Sequence, residues 1–145
     1  MKKKISVVLV ILTVIMIFSA CNPTKGGTDN FSVKNGESFT VTVNLTDSGA
    51  IKSMALSIFF DDDAFLVVDG TWLNHNGEIA DFNKETKDAA IAFKDEVNFS
   101  GEIFSFTLKA KKDLVIIKDV IMVEAVLKNE NEDVECKGIS LTYAK

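Results

Sequence analysis

Histidine is almost absent from this chain: its 145 residues include one, His75. It lies in the polar segment Asn74-His75-Asn76-Gly77, where we expect a solvated loop side chain. A Ser-His-Asp triad depends on a buried, oriented histidine, and catalytic zinc sites commonly use two or three. We therefore expect neither kind of site.

Phosphate-binding glycine loops are also missing, since the one glycine pair, Gly26-Gly27, lies in a short polar segment and precedes no predicted helix. The 21 acidic residues could in principle include the carboxylate pair of a glycosidase, but their separation in space cannot be read from the sequence. We predict a protein that is not an enzyme and has no cofactor.

Cysteine is scarce, and one of the two cysteines, Cys21, follows an N-terminal leader. Lys2 to Lys4 make the start positive, Ile5 to Phe18 are almost all apolar, and Ser19-Ala20 are small. The apolar run is shorter than the roughly 20 residues that a membrane-spanning helix needs. Residues 1–20 are therefore predicted to be an export signal.

The segment Phe18-Ser19-Ala20-Cys21 resembles a bacterial lipobox, in which the cysteine is lipidated and becomes the new N-terminus. Phe18 departs from that motif, which usually has leucine there. Two or three acyl chains anchor a protein durably, whereas one is marginal. We expect lipid on Cys21, with an ordinary secretory signal or an uncleaved anchor as alternatives that also predict export.

The second cysteine, Cys136, lies in an alternating segment and is predicted to be a small buried side chain. A lipid on Cys21 would leave no disulfide within the chain, so the fold is expected to depend on its core. Residues 21–30, which contain the one proline, are predicted to be a flexible tether, and residues 31–145 a single domain.

Arginine is absent, so all 16 basic residues are lysines, and three of them lie in the leader. The rest of the chain has 13 lysines against 21 acidic residues, a net charge of −8. Nucleic acids and anionic lipid headgroups select for basic proteins. We therefore predict no nucleic-acid partner, and a neutral or basic protein partner instead.

Amphipathic helices are not evident either, because the apolar residues recur with a period of two from Phe31 onward. The alternating segments are typical of strands with one buried face, and turn signals separate them. Such a series predicts an all-β, antiparallel two-sheet sandwich. The predicted strands cover residues 39–45, 54–60, 65–68, 79–83, 89–94, 102–110 and parts of 115–127 and 134–143.

Asp61, Asp62 and Asp63 are the densest group of acidic residues. Calcium loops place their ligands at alternate positions and need a glycine at the sharp turn, and neither feature is present. Aspartate also favours turns, because its side chain hydrogen-bonds to the nearby backbone. We predict a turn that ends a strand, and no metal site.

Several segments, in order, resemble cohesin domains. The segment GESFTVTVNL at 36–45 is similar to their GD-x-VTV-x-V-x-L strand, and MALSIFFDDDAFLV at 54–67 to their next strand and Y-D-P turn, with Phe60 in place of tyrosine and Asp62 in place of proline. Residues 82–83 and 89–93 look like the paired strands that follow, and SGEIFSFTLKA at 100–110 resembles SG-x-L-F-x-I-x-F-K-A. The resemblance covers residues 31–143.

This resemblance implies a nine-stranded jelly-roll sandwich related to carbohydrate-binding modules. It also implies a partner, because a flat sheet of cohesins binds a calcium-loaded dockerin on another protein, commonly an enzyme that degrades plant polysaccharides. The calcium belongs to the dockerin. The resemblance thus implies a cohesin-like binding module that docks a dockerin-bearing protein at the cell surface.

The binding sheet of the family includes the strand before the turn at Asp61 and the paired strands after it. If Met54, Leu56 and Ile58 face the core, the alternate side chains face outward onto that sheet. Phe59 is the strongest candidate, since an exposed aromatic is a typical interface anchor. The predicted partner-binding residues are Ser53, Ala55, Ser57 and Phe59, with Asn83, Glu85, Ala92 and Lys94 on the same face.

Two other functions remain open at this point. A carbohydrate-binding module would need a strip of exposed aromatics, for which the sequence offers Trp72, Tyr143 and Phe59. A structural Ig-like lipoprotein of the envelope would need no ligand.

Overall fold

A computed structural model describes residues 31–116 and 120–145, and all elements of regular structure in this part of the chain are strands. None of the described residues forms a helix that is long and apolar enough to cross a membrane. The strands are β1 Phe31–Val33, β2 Ser38–Leu45, β3 Ala50–Phe59, β4 Phe65–Trp72, β5 Ile79–Asn83, β6 Asp88–Asn98, β7 Gly101–Ala110, β8 Leu114–Ile116, β9 Met122–Asn129, β10 Glu132–Val134 and β11 Ile139–Ala144.

The strands form two main sheets and a small ribbon. The five-stranded sheet has the order β10-β9-β3-β6-β5, the four-stranded sheet has the order β11-β2-β7-β4, and β1 pairs with β8. All of these pairs are antiparallel. The predicted all-β antiparallel sandwich is thus confirmed, with nine strands in the main sheets and two more in a ribbon that was not predicted.

The core lies between the two main sheets and is built largely by alternation. In β2, and in β7 from Phe104 onward, every second side chain is buried, as the sequence pattern predicts. Ile103 is buried as well, next to an irregularity in the pairing of β7 with β2. The four-stranded sheet contributes the largest buried rings, and the five-stranded sheet contributes mainly aliphatic side chains. The buried rings of the four-stranded sheet are Phe39, Phe65, Trp72, Phe104 and Phe106.

A bulge in β4 contradicts two sequence predictions, namely the end of the strand before Asp69-Gly70 and the exposure of Trp72. The strand was expected to end before Asp69-Gly70, but it continues to Trp72, with its register shifted between Val67 and Asp69. One extra residue reverses which side chains face the core, so Trp72 points inward. Gly70 fits because a Cβ there would lie 2.8 Å from the rings of Phe82 and Phe104.

Ser48 is the one polar side chain among the described residues that is fully buried. Its Oγ accepts a hydrogen bond of 2.6 Å from the Phe99 N–H and donates one of 2.6 Å to the Gly49 carbonyl. The Ser48 N–H in turn donates to the Phe99 carbonyl at 3.0 Å. This residue therefore joins the β2–β3 loop to the β6–β7 turn.

Cys136 differs from its prediction. It is half-buried and packs against the core instead of lying within it. The side chain is therefore less buried than expected. Cys21, together with the predicted leader and tether, lies outside the described residues.

Candidate functional site: the outward face of the five-stranded sheet

β3 divides its side chains between the core and the solvent. Met54, Leu56 and Ile58 are buried, and the residues between them are half-buried or exposed. Phe59 is 44% exposed. The predicted residues Ser53, Ala55, Ser57 and Phe59 thus lie on one face, which is the outward face of the five-stranded sheet.

Cross-strand pairing places the outward side chains of β9, β3, β6 and β5 in rows. Residues directly opposite each other in antiparallel strands point to the same side of the sheet. In the order β9, β3, β6, β5, the rows are Lys128-Ser53-Ala92-Ile79, Val126-Ala55-Ala90-Asp81 and Glu124-Ser57-Asp88-Asn83, followed by the pair Met122-Phe59.

The centre of this face is small and apolar. Ala55 lies between Val126 and Ala90, and Ala92 lies between Ser53 and Ile79. Ile79 is 67% exposed and Val126 is 44% exposed. These residues surround a shallow depression of about 260 Å³, so the face offers apolar area that a second surface can cover.

Phe59 and Met122 lie at one end of the face, beside a second depression. Its volume is about 500 Å³, and its lining includes Phe60 and Leu114 in addition to the Phe59–Met122 pair. Met122 is 37% exposed. The apolar surface around Phe59 therefore extends from the sheet onto the end of the sandwich, where Asp61 and Lys112 border it.

A row with negative charge separates the two apolar areas. Ser57 Oγ donates a hydrogen bond of 2.8 Å to Asp88 Oδ1, and Glu124 lies opposite Ser57 on the other side. All three side chains are exposed or half-buried.

The four peripheral residues of the prediction differ in position. Ala92 is central and half-buried, whereas Lys94 is exposed and lies beside an irregularity in the pairing of β6 with β3. Asn83 ends β5, and its Oδ1 accepts hydrogen bonds from the Glu85 and Thr86 N–H groups at 3.0 and 3.2 Å. Glu85 lies in the turn beyond the strand, so its side chain is not part of the rows.

Sequence reasoning missed much of this face. Ile79, Ala90, Val126, Met122 and Glu124 were not predicted to belong to it. Alternation indicates which side chains share a face of one strand, but it does not indicate that β9 pairs with β3.

The outward face of the four-stranded sheet has a different character. Its cross-strand neighbours are mostly hydroxyl-bearing, among them Thr40, Thr42, Thr71, Ser105, Thr107 and Thr142. Threonine is common in strands, and the exposed apolar side chains of this sheet, Leu66 and Val68, lie on its edge strand β4. The two outward faces of the sandwich are therefore chemically distinct, because apolar side chains lie at the centre of the five-stranded sheet and hydroxyl-bearing ones at the centre of the four-stranded sheet.

The aromatic strip expected of a carbohydrate-binding module is not formed by the three candidate residues. Trp72 is 7% exposed, and its Nε1–H donates to the Asp81 carbonyl at 3.1 Å. Tyr143 is half-buried and stacks on Phe31, with 5.7 Å between ring centroids. Burial raises the pKa of the Tyr143 hydroxyl. Phe59 alone remains on an exposed sheet face.

The acidic turn has a structural role. The Asp61 carboxylate accepts a hydrogen bond from the Asp63 N–H at 2.9 Å, and Lys87 Nζ lies 2.7 Å from Asp62 Oδ1. His75 Nδ1 accepts a hydrogen bond from the Gly77 N–H at 3.1 Å in an exposed loop. Within residues 31–116 and 120–145, no three His, Cys, Asp or Glu side chains are placed to hold a metal ion.

The resolved pKa shifts of charged groups belong to ion pairs outside the four rows. The hydrogen bond from Lys52 lowers the pKa of Glu130, and the same contact raises the pKa of Lys52. At Asp47, the Gly49 N–H is the main cause of a lowered pKa, and Lys137 adds to it.

No protein-family model and no curated protein matches this sequence. Solved structures, however, do match this chain. The type I cohesin Coh-OlpC, from a cohesin–dockerin complex of Clostridium thermocellum, aligns with a TM-score of 0.51 and 11% identity over 86% of this chain and 90% of its own. The reeler domain of human F-spondin aligns with a TM-score of 0.34 and 9% identity over 83% and 85% of the two chains. The chain therefore has a cohesin-like fold.

Proposed function

We propose that this chain is a non-catalytic binding module that docks a dockerin-bearing protein through the outward face of its five-stranded sheet. The observation that carries the proposal is an exposed apolar face, centred on Ala55 and ending at Phe59, on a sandwich with a cohesin-like fold. Coh-OlpC, which shares this fold, was crystallised in complex with a dockerin.

Interface cores are depleted in charge and enriched in aromatic residues and methionine. The face meets this description at Phe59 and Met122, and the hydroxyl-rich face of the four-stranded sheet does not. We therefore assign the contact to the five-stranded sheet. We expect the partner to be a polysaccharide-degrading enzyme or a scaffold protein that carries its own calcium.

The proposal also includes export and anchoring. We propose that cleavage after Ala20 exposes Cys21 for lipidation, which holds the domain on the outer face of the cell membrane. The leader, the small residues and the cysteine of residues 1–21 support this. The domain would then recruit its partner to the cell surface.

Capture from the secreted proteins of the source organism tests the function. The purified chain is immobilised, and bound proteins are identified by mass spectrometry with calcium and with EDTA. We expect dockerin-bearing proteins to be enriched with calcium and lost with EDTA, because the dockerin needs its calcium to fold. Tight binding to cellulose or xylan without such a partner would contradict the proposal.

A further inference from the structure

The carboxylates of Asp88 and Glu124 lie in the middle of the proposed contact face, and neither is part of an ion pair among the described residues. Lys128 pairs with Asp133 and Lys52 with Glu130, outside the middle of the face. Asp88 accepts one hydrogen bond, from Ser57. The negative charge on this row is therefore not paired with a lysine among the described residues.

Apolar rows lie on both sides of these carboxylates. Val126, Ala55 and Ala90 form the row before them, with Asp81 at its outer end on β5, and Met122 and Phe59 form the pair after them. Rows two residues apart along a strand are separated by about 7 Å. A partner that covers both apolar areas must therefore also cover Asp88 and Glu124.

Covering a carboxylate without compensation is unfavourable, because a charge removed from water needs an opposite charge or several hydrogen bonds. Asp88 and Glu124 are two strand spacings apart, or about 10 Å between backbones. The residue between them is the small Ser57. This leaves room above Ser57 for a long side chain that can reach both carboxylates.

We infer that the partner places a lysine or arginine side chain over Ser57, between Asp88 and Glu124, with apolar side chains on both sides of it. The inference rests on the proposed function, and it specifies the chemistry of the dockerin surface that this chain selects. A dockerin with an acidic or purely apolar surface at this point is excluded by charge repulsion or by the uncompensated carboxylates.

The test uses the dockerin domains encoded in the genome of the source organism, purified one by one with calcium and titrated against the full chain by calorimetry. The variants Asp88→Asn and Glu124→Gln remove the charges and keep the shapes, and asparagine still accepts the Ser57 hydrogen bond. Asp69→Asn and Glu102→Gln make the same charge change on the four-stranded sheet and serve as matched controls.

We expect each variant on the face to raise Kd by about tenfold and the double variant by about a hundredfold, as for charge pairs that become desolvated. The controls should leave Kd within about twofold. Salt should weaken binding of the wild-type chain more than that of the double variant. Replacing the contacting basic residue of the dockerin by glutamate should abolish binding, and Asp88→Lys should restore part of it.

The two possible failures are distinguishable. If a dockerin binds in a calcium-dependent way but the double variant binds it equally well or better, the inference is wrong and the proposed function stands. If none of the dockerin domains binds the wild-type chain, the proposed function is wrong and the inference fails with it.

Discussion

Phe59 and Met122 lie directly opposite each other on β3 and β9, and both remain exposed at the end of an apolar sheet face. A phenylalanine in this position contributes little to the core, because the core side of β3 is filled by Ile58 and Leu56. Its area is available to a partner, and aromatic residues are among those that commonly contribute most of the binding energy when an interface buries them.

Replacement of Phe59 by alanine should therefore weaken partner binding by about 2 kcal/mol, or roughly thirtyfold, and leave the melting temperature nearly unchanged. Calorimetric titration and thermal unfolding of the same samples measure the two effects. Leu66→Ala is the control, since Leu66 is 53% exposed on the four-stranded sheet. A core role for Phe59 would show itself as a loss of stability of about 3–5 kcal/mol.

The position of Phe59 could be predicted because alternation along one strand is local information. The same holds for β2 and for β7 from Phe104 onward, where the buried residues follow the sequence pattern. The neighbours of Phe59 could not be predicted in this way. Met122 is 63 positions away in the chain, and its place opposite Phe59 depends on the pairing of β9 with β3 and on its register.

Trp72 shows a second feature of the fold that alternation in the sequence does not predict. Alternation from Phe65 and Val67 would place residue 72 on the outward face, and the bulge after Val67 turns it inward. A bulge is one inserted residue without a strong sequence signal, and Asp69-Gly70 suggested a break instead. The carbohydrate-binding alternative depended partly on this residue.

Gly70→Ala should destabilise the domain by about 1–3 kcal/mol, because overpacking a filled core forces rings out of their preferred positions. The new Cβ would lie 2.8 Å from atoms of Phe82 and Phe104. Urea unfolding followed by the fluorescence of Trp72 measures the change. Gly36→Ala is a contrasting variant without steric contact: no atom lies within 4 Å of its Cβ position, so any cost there comes from its positive φ of 86°.

Ser48→Ala should destabilise the domain by about 1–3 kcal/mol, because the buried Phe99 N–H would lose its acceptor. Ser48→Thr keeps the hydroxyl but adds a methyl group at a site without exposed surface, so we expect it to recover only part of the loss. Equal stability of Ser48→Ala and the wild-type chain in urea would contradict the role assigned to this hydrogen bond.

Tyr143 should make the domain less stable at high pH. Burial raises the pKa of its hydroxyl above the ordinary value of 10.0, so the unfolded chain ionises first. The stabilising contribution is complete below pH 10 and is lost as the pH rises through the native pKa. Because Tyr143 is the one tyrosine of the chain, absorbance at the phenolate band reports its titration directly. Tyr143→Phe should remove this part of the pH dependence.

Cys21 should carry the lipid, and the alternative outcome is a disulfide between Cys21 and Cys136. Lipid is attached through the cysteine sulfur, and the chain has just these two cysteines, so a disulfide within one chain and a lipid on Cys21 exclude each other. Cells grown with a labelled fatty acid should mark the wild-type chain and not Cys21→Ser, and the wild-type chain should sediment with membranes. If the chain is unlabelled and soluble in the medium, the lipid anchor is contradicted. A mobility on gels that changes on reduction would then indicate an internal disulfide.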